Sequence, residues 1–226
     1  MNRELLLAEL AADIVAIERD HPVRVAIDGL SASGKTILAD ELAEYVRLHG
    51  RAVIRAGIDG FHRPPHERYA RGKDSVEGYY HDSFNYPAVR EKLLDPLGPH
   101  GDGRYLPALR DHTTEADVAH VTACAPPEAI LLFEGVMILR DELNDCWDYR
   151  IYVHADTDVI LQRAMGRDAR RLGGTSAVRS KYLSRYLPGQ QMYLELVSPQ
   201  DLADVVIDNS DPADPRVHTP DRNRTA

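Results

Sequence analysis

Apolar residues along this chain follow two rhythms. Short compact runs recur at "VRVAID" (23–28), "RAVIRAGID" (51–59), "EAILLFEG" (128–135), "YRIYVHA" (149–155) and "ADVVID" (203–208). Runs this short and apolar predict strands, and "ILLF" predicts one buried on both faces. Between them, apolar positions fall three and four apart. Leu6, Leu10, Ile14 and Ile17 mark an amphipathic N-terminal helix within 1–20, and "KTILADELAEYVRLHG" predicts a helix that closes at Gly50. "PAVREKLLDPL" predicts a short helix with Pro87 in its first turn, and 156–172 and 176–195 predict two helices joined at "LGGTS".

Strands alternating with helices predict an α/β fold whose mainly parallel sheet is covered on both sides. Residues 60–86, mixed in Pro, Gly, aromatic and charged residues, read as a functional loop or lid because they are long for a connection. "GRYLPAL" and "VAHVTACA" form a hairpin-like pair around "RDHTTEAD". With no internal repeat or linker, residues 1–210 read as one domain, and 211–226, poor in apolar residues, as a disordered tail.

Composition removes several functions. At 226 residues, with 43% hydrophobic and 28% charged residues, the chain is ordinary for a soluble domain. A formal net charge of −9 argues against a general nucleic-acid binder. The N-terminal stretch carries acids through its apolar positions, unlike a secretory signal, and no run approaches the roughly 20 apolar residues of a membrane span. Cys124 and Cys146 are the only cysteines and lie in no metal-binding spacing, so a reduced cytoplasmic setting is expected.

Gly29-Leu30-Ser31-Ala32-Ser33-Gly34-Lys35-Thr36 fits G-x-x-x-x-G-K-[ST] at every fixed position, between a predicted strand and a predicted helix. Glycines let the backbone curl so that successive N–H groups face phosphate oxygens. The helix that follows offers its positive end to the same anion. Lys35 would reach the outer phosphates of a nucleoside triphosphate, and the Thr36 hydroxyl would bind Mg²⁺. The dinucleotide pattern G-x-G-x-x-G is absent, as is the guanine-reading N-K-x-D segment.

A phosphotransferase also needs a carboxylate near the transferred group and a basic cover that excludes water. Asp59 ends the second predicted strand, where it could take a hydroxyl proton or simply cap a turn. Glu134 follows "ILLF", where a carboxylate is costly unless it meets Mg²⁺; its alternative is a surface turn. Arg163, Arg167 and Arg171 recur every four residues before Gly173-Gly174. That stripe suits either a solvated helix face or a hinged lid over about 163–188 that closes on a triphosphate.

In order, "IDGLSASGKT", "IDGFHRP", "SFNYP", "LLFEG", "RAMGRD", "KYLSRYLP" and "ADVVID" resemble the uridine kinase branch of the phosphoribulokinase/uridine kinase family, from about Val23 to Asp208. The resemblance implies a P-loop three-layer sandwich with a five-stranded, mainly parallel sheet, a β-hairpin for the acceptor and a helical lid. It implies ATP- and Mg²⁺-dependent phosphorylation of a nucleoside 5′-hydroxyl, with no nucleic-acid or membrane partner; a homo-oligomer is left open. Asp59 matches the general base, Glu134 the Mg²⁺-associated glutamate, and Arg167 with Asp168 the lid pair. Phe61, His62, Arg63, Asn85 and Tyr105 fall on the acceptor side, with Arg110 or His112 standing for a hairpin histidine. The chain has His62 where the family usually has Tyr, and Asn85 where it has Asp. A neutral amide both donates and accepts, but loses a charge-assisted bond to a sugar. Two alternatives follow: a kinase for another hydroxylated metabolite, such as a riboside or a pantothenate-like acid, or a nucleotide-binding regulatory protein.

Overall fold

Alternation along each strand sends successive side chains to opposite faces, and both faces of this sheet are apolar. In the computed structural model, which describes residues 2–111 and 113–220, the chain begins with α1 (Arg3–Val15), β1 (Val23–Gly29), α2 (Lys35–Leu48) and β2 (Val53–Gly57). A 3₁₀ turn, Ile58–Phe61, leads to α3 (Pro65–Arg68), α4 (Val76–Asp82) and α5 (Tyr86–Val89), which continues as a π-turn over Arg90–Leu94. Then come β3 (Arg104–Tyr105), β4 (Ala123–Cys124), β5 (Ile130–Gly135), α6 (Asp141–Asn144) and β6 (Tyr149–His154). The chain goes on through α7 (Thr157–Leu172), α8 (Thr175–Lys181), a π-turn over Tyr182–Tyr186, α9 (Leu187–Val197), α10 (Pro199–Leu202), β7 (Val205–Asp208) and β8 (Arg216–His218).

The main sheet has six strands in the order β2-β5-β1-β6-β7-β8, all parallel to their neighbours except β8, which runs antiparallel to β7. Val23, Val25, Ile27, Ile130, Leu132, Ile151 and Val153 pack on one face against α1 and α2. Ala26, Leu131 and Phe133 face the other way, into a core with Phe61, Tyr79, Trp147 and Tyr193. This three-layer arrangement brings the carboxyl ends of β1, β2 and β5 together, the edge at which open α/β sheets bind ligands. Among the described residues, no helix is long and apolar enough to cross a membrane.

The strand count differs from the expected five because of β8, which lies inside the segment expected to be disordered from Asp211. Low apolar content rules out a packed core there, but an edge strand needs only backbone partners, and β7 offers an open edge. Asp211 Oδ1 accepts from Ala213 N (2.9 Å) in the turn before β8, and Val217 packs partly onto the core. Residues 221–226 of that expected tail lie outside the described residues.

Three other boundaries move. The N-terminal helix stops at Val15, whose carbonyl accepts from Arg51 Nη1 (3.2 Å), so Ile17 packs from beyond it. Residues 60–86 hold α3 and α4 rather than a plain loop; the Ser75 hydroxyl caps α4 by accepting from Gly78 N (2.9 Å). The helix expected over 176–195 is interrupted: Pro188 has no N–H for the carbonyl four residues back, and the chain passes this point through the π-turn.

α1 buries Leu6, Leu7, Leu10, Ala11 and Ile14, so it is part of the core rather than an appendage. Ile14→Ala should therefore lower unfolding stability by about 2–5 kcal/mol in urea titrations; an unchanged midpoint would contradict that placement.

Candidate active site

β1 delivers a loop that curls before α2 begins. Ala32 (φ 62°) and Gly34 (φ 105°) adopt left-handed backbone, which turns successive N–H groups to one side as an anion nest. Any side chain at Gly34 would be strained by that φ, and its Cβ would also overlap Nδ2 of Asn209. That amide is held there because it donates to the Ser33 carbonyl (2.7 Å), while Asn209 Oδ1 accepts from Arg3 Nη1 (3.2 Å). Arg163 joins the same brace, donating to the carbonyls of Ser33 (3.2 Å), Asn209 (2.8 Å) and Ser210 (3.2 Å). Arg163, expected as a phosphate contact, here turns its guanidinium to backbone oxygens that hold the loop.

A second support was not foreseen. Gln190 of α9 is fully buried; its Oε1 accepts from Ser31 N (2.7 Å), and its Nε2 donates to Ser31 Oγ (3.1 Å) and Tyr79 OH (3.3 Å). No local signal marks Gln190, because it lies 159 residues from Ser31. Asp28 was also missed, although an acid ending a solid apolar strand is a readable signal. Its carboxylate accepts from Tyr193 OH and from Ile138 N (3.4 Å), and burial pushes its pKa up against those bonds.

Lys35, only 5% exposed, opens α2 and donates from Nζ to the Leu30 carbonyl (2.8 Å). Burial lowers its pKa, while Glu134, Asp28 and Asp59 pull it back up. Thr36 Oγ1 donates to Glu134 Oε1 (3.2 Å), and burial raises the Glu134 pKa against the pull of Lys35. A hydroxyl beside a carboxylate is the hard-oxygen donor set that Mg²⁺ accepts. Among the described residues no cluster of three or more His, Cys, Asp or Glu forms a metal cage. Mg²⁺ fits such a site, since it typically takes one or two carboxylates together with substrate phosphates and water.

Asp59 lies in the 3₁₀ turn after β2, with its side chain 62% exposed. Its charge acts on Lys35, Glu134 and Arg167 alike, so β2, β5, α2 and α7 converge on one electrostatic centre. Arg167 grips Asp168 with Nε and Nη2 (both 3.0 Å) and reaches Tyr182 OH (3.1 Å). Arg171 Nη2 approaches the same carboxylate at 3.4 Å. Burial would raise the Asp168 pKa, but its bonds to Arg167 and the charge of Arg171 outweigh it and hold the group ionised.

The acceptor side differs most from expectation. Phe61 is fully buried against Phe133 (centroids 6.3 Å), and Tyr105 packs in the same core. His62 packs tilted against Phe84 (centroids 4.7 Å), and its Nδ1 lies 2.9 Å from the Asp59 carbonyl; burial lowers its pKa. Arg63 donates to the Phe84 carbonyl (3.2 Å) and pairs with Glu67 (3.4 Å). Asn85 Oδ1 caps α5 by accepting from Ala88 N (3.1 Å). The hairpin docks on the Asp59 turn through Leu109 N and Arg110 N, both donating to the Gly60 carbonyl (2.8 and 3.0 Å). A Cβ at Gly60 would come within 2.7 Å of Ala108 Cβ, so the contact requires glycine. Arg110 Nη1 is held by the Glu115 carbonyl (3.1 Å). His112 lies outside the described residues.

Comparison with known proteins agrees with this geometry. A profile described as the Phosphoribulokinase / Uridine kinase family matches residues 24–214. A uridine kinase of Bacillus licheniformis is 28% identical over 192 residues, 82% of this chain and 85% of that protein. A solved structure of a possible uridine kinase from Bacillus stearothermophilus superposes with a TM-score of 0.70 at 25% identity, over 90% of this chain and 98% of that one. D-glycerate 3-kinase from Cryptococcus neoformans shares the fold at a TM-score of 0.66 and 14% identity, over 95% and 98% of the two chains.

Replacing Gln190 by Leu removes the acceptor of Ser31 N–H and a donor to Ser31 Oγ and Tyr79 OH, a loss of about 1–3 kcal/mol. Calorimetric titration with ATP should show affinity falling roughly tenfold while the far-UV spectrum is unchanged. Wild-type affinity in the variant would remove Gln190 from the loop's support.

Proposed function

The chain belongs to the phosphoribulokinase/uridine kinase family, and from that premise we propose that it transfers the γ-phosphoryl group of ATP, with Mg²⁺, to a hydroxyl of a small acceptor. The uridine kinases among its relatives make a nucleoside 5′-hydroxyl the first reading. A second reading, another small hydroxylated metabolite, is favoured by Asn85, whose amide oxygen is spent on a helix cap, and by His62 packed on Phe84.

The observation that carries the proposal is the convergence of Lys35, Glu134, Arg167 and Asp59 on one centre beside the loop. The loop amides and Lys35 hold the phosphates, and Thr36 with Glu134 would hold Mg²⁺, which supplies charge neutralisation when bound. Asp59 is exposed enough to meet an acceptor and takes its proton. The acceptor oxygen bonds to the γ-phosphorus as the bond to the β-bridging oxygen breaks and ADP leaves. Arg167, steadied by Asp168 and Tyr182, faces the charge that develops on the transferred group, and Arg171 adds a cation on the same helix face.

Acceptor-dependent ADP release across nucleosides, sugars and small hydroxy acids is the direct test. Asp59→Asn should cut turnover by about 10²–10⁴ with ATP binding intact. Tight ATP binding with no turnover on any acceptor would instead favour a regulatory nucleotide-binding role.

The raised pKa of Glu134 fixes the sign of a pH effect. A raised carboxylate ionises only above its shifted value, so apparent Mg²⁺ affinity in the ATP reaction should fall as pH drops through that value, earlier than for an ordinary glutamate. Mg²⁺ titrations from about pH 8 to about pH 5 should show this slope, and Glu134→Gln should flatten it. A slope that persists in the variant would assign it to another group.

A further inference from the structure

Between the hairpin and the lid, two arginines are buried with less compensation than burial demands. Arg185, in the π-turn over Tyr182–Tyr186, is 2% exposed. Its Nε donates to the Ser75 carbonyl (3.3 Å), and its guanidinium carbon lies 5.1, 5.4 and 5.8 Å from the ring centres of Tyr69, Tyr79 and Tyr186. Among the described residues its Nη2 has no hydrogen-bond partner, and no carboxylate comes within ion-pair distance of it. Arg68 of α3, 9% exposed, lies 5.1 Å from the same Tyr69 ring. It pairs through Nη2 with Glu115 of the hairpin (2.5 Å), while its Nε is without a partner among the described residues.

Ring faces attract a guanidinium cation, but they do not satisfy the N–H groups along its edge. Those edges match a carboxylate or phosphate, which accepts two parallel N–H bonds. A buried charge that lacks a carboxylate is costly, and a bound anion would remove that cost.

The arginines adjoin the acceptor side of the centre. Glu115, the partner of Arg68, also accepts from Arg110 Nη1 through its carbonyl (3.1 Å), and Arg110 N donates to the carbonyl of Gly60 (3.0 Å), the neighbour of Asp59. Tyr79 touches Arg185 with its ring and Gln190 with its hydroxyl, and the charge of Asp59 acts on it. We infer that the acceptor is itself an anion: its hydroxyl meets Asp59 while its carboxylate or phosphate takes the free N–H groups of Arg185 and Arg68. The inference rests on the kinase reading above for the role of Asp59, and within that reading it favours a hydroxylated acid or sugar phosphate over a neutral nucleoside.

The test uses the full chain saturated with Mg²⁺ and a non-hydrolysable ATP analogue, so that added anions do not enter the phosphate loop. Calorimetric titrations compare D-ribose 5-phosphate with D-ribose, D-glycerate with glycerol, and uridine as a neutral nucleoside; ADP release with ATP is followed in parallel. The expected result is that the anionic member of at least one pair binds at least tenfold tighter than its neutral partner and than uridine. Which pair shows it separates a phosphate from a carboxylate. Arg185→Met should abolish the difference, Arg185→Lys should keep part of it, and neither should change affinity for the ATP analogue. If Arg185→Met does not fold, Arg68→Gln is read the same way. Binding of uridine as tight as any anion, no binding of either anion, or a preference that survives both substitutions overturns the inference. Arginine-dependent anion binding without ADP release would overturn the kinase reading and leave this one standing. Uridine turnover that ends in Asp59→Asn, without anion preference, would do the reverse.

Discussion

An ammonium group held out of water must be answered by carboxylates, and Lys35 Nζ is such a group. Its place is dictated by the loop: the fixed spacing from Gly34 puts it at the first turn of α2, directly over the carboxyl ends of β1 and β5. Asp28 from β1, Glu134 from β5 and Asp59 from the turn after β2 arrive at that point, and each favours the charged lysine. The reverse also holds. Asp28 and Glu134 are themselves buried, and without Lys35 their ionised forms would be opposed by desolvation with less to offset it. The sheet order therefore does more than build a core. It brings to one edge the acids that make a buried lysine affordable, and on the proposed function that lysine would grip phosphate strongly, because no bulk water screens it.

Around that ammonium the loop is held from separate directions. Asn209, just after β7, and Arg163 of α7 both fix the Ser33 carbonyl, with Arg3 of α1 tied to Asn209. Gln190 fixes Ser31 from α9. Tyr193, one helical turn beyond Gln190, bonds to Asp28 at the root of the loop and accepts from Leu139 N (3.3 Å). Thus α9 holds both the root and the third residue of the loop, and a movement of this helix would be felt in the loop. A loop whose amides are already aimed needs little reorganisation when an anion arrives.

The readable part of the sequence is the part whose meaning is local. Gly29 to Thr36 are adjacent, and their pattern carries its physics with it; the apolar runs and helical spacings likewise fix five strands of the sheet and most helices. Roles that depend on distant partners were not readable. Arg163 sits in a stripe with Arg167 and Arg171, yet its partner Ser33 is 130 residues away, and only the fold shows that its guanidinium faces backbone carbonyls. Phe61 stands in the motif beside Asp59, but the 3₁₀ turn that exposes Asp59 drives Phe61 inward against Phe133. β8 was hidden for another reason: edge pairing draws on backbone groups, which every sequence possesses.

The two halves of the cleft meet at Tyr79. Its hydroxyl accepts from Gln190, on the loop side, while its ring lies against Tyr186 (centroids 5.0 Å) and Arg185, on the acceptor side. Burial pushes the Tyr79 phenol far above its ordinary pKa, so it is a fixed neutral dipole rather than a proton carrier. Charge is balanced differently on either side of it. Toward the nucleotide, Lys35 and Arg167 are matched by carboxylates within the protein. Toward the hairpin, Arg185 has one backbone carbonyl, that of Ser75, and three aromatic faces, with no carboxylate among the described residues at ion-pair distance. A site that completes its own charge balance at one end and leaves it open at the other is built to hold one ligand on a rigid frame and to be finished by the second.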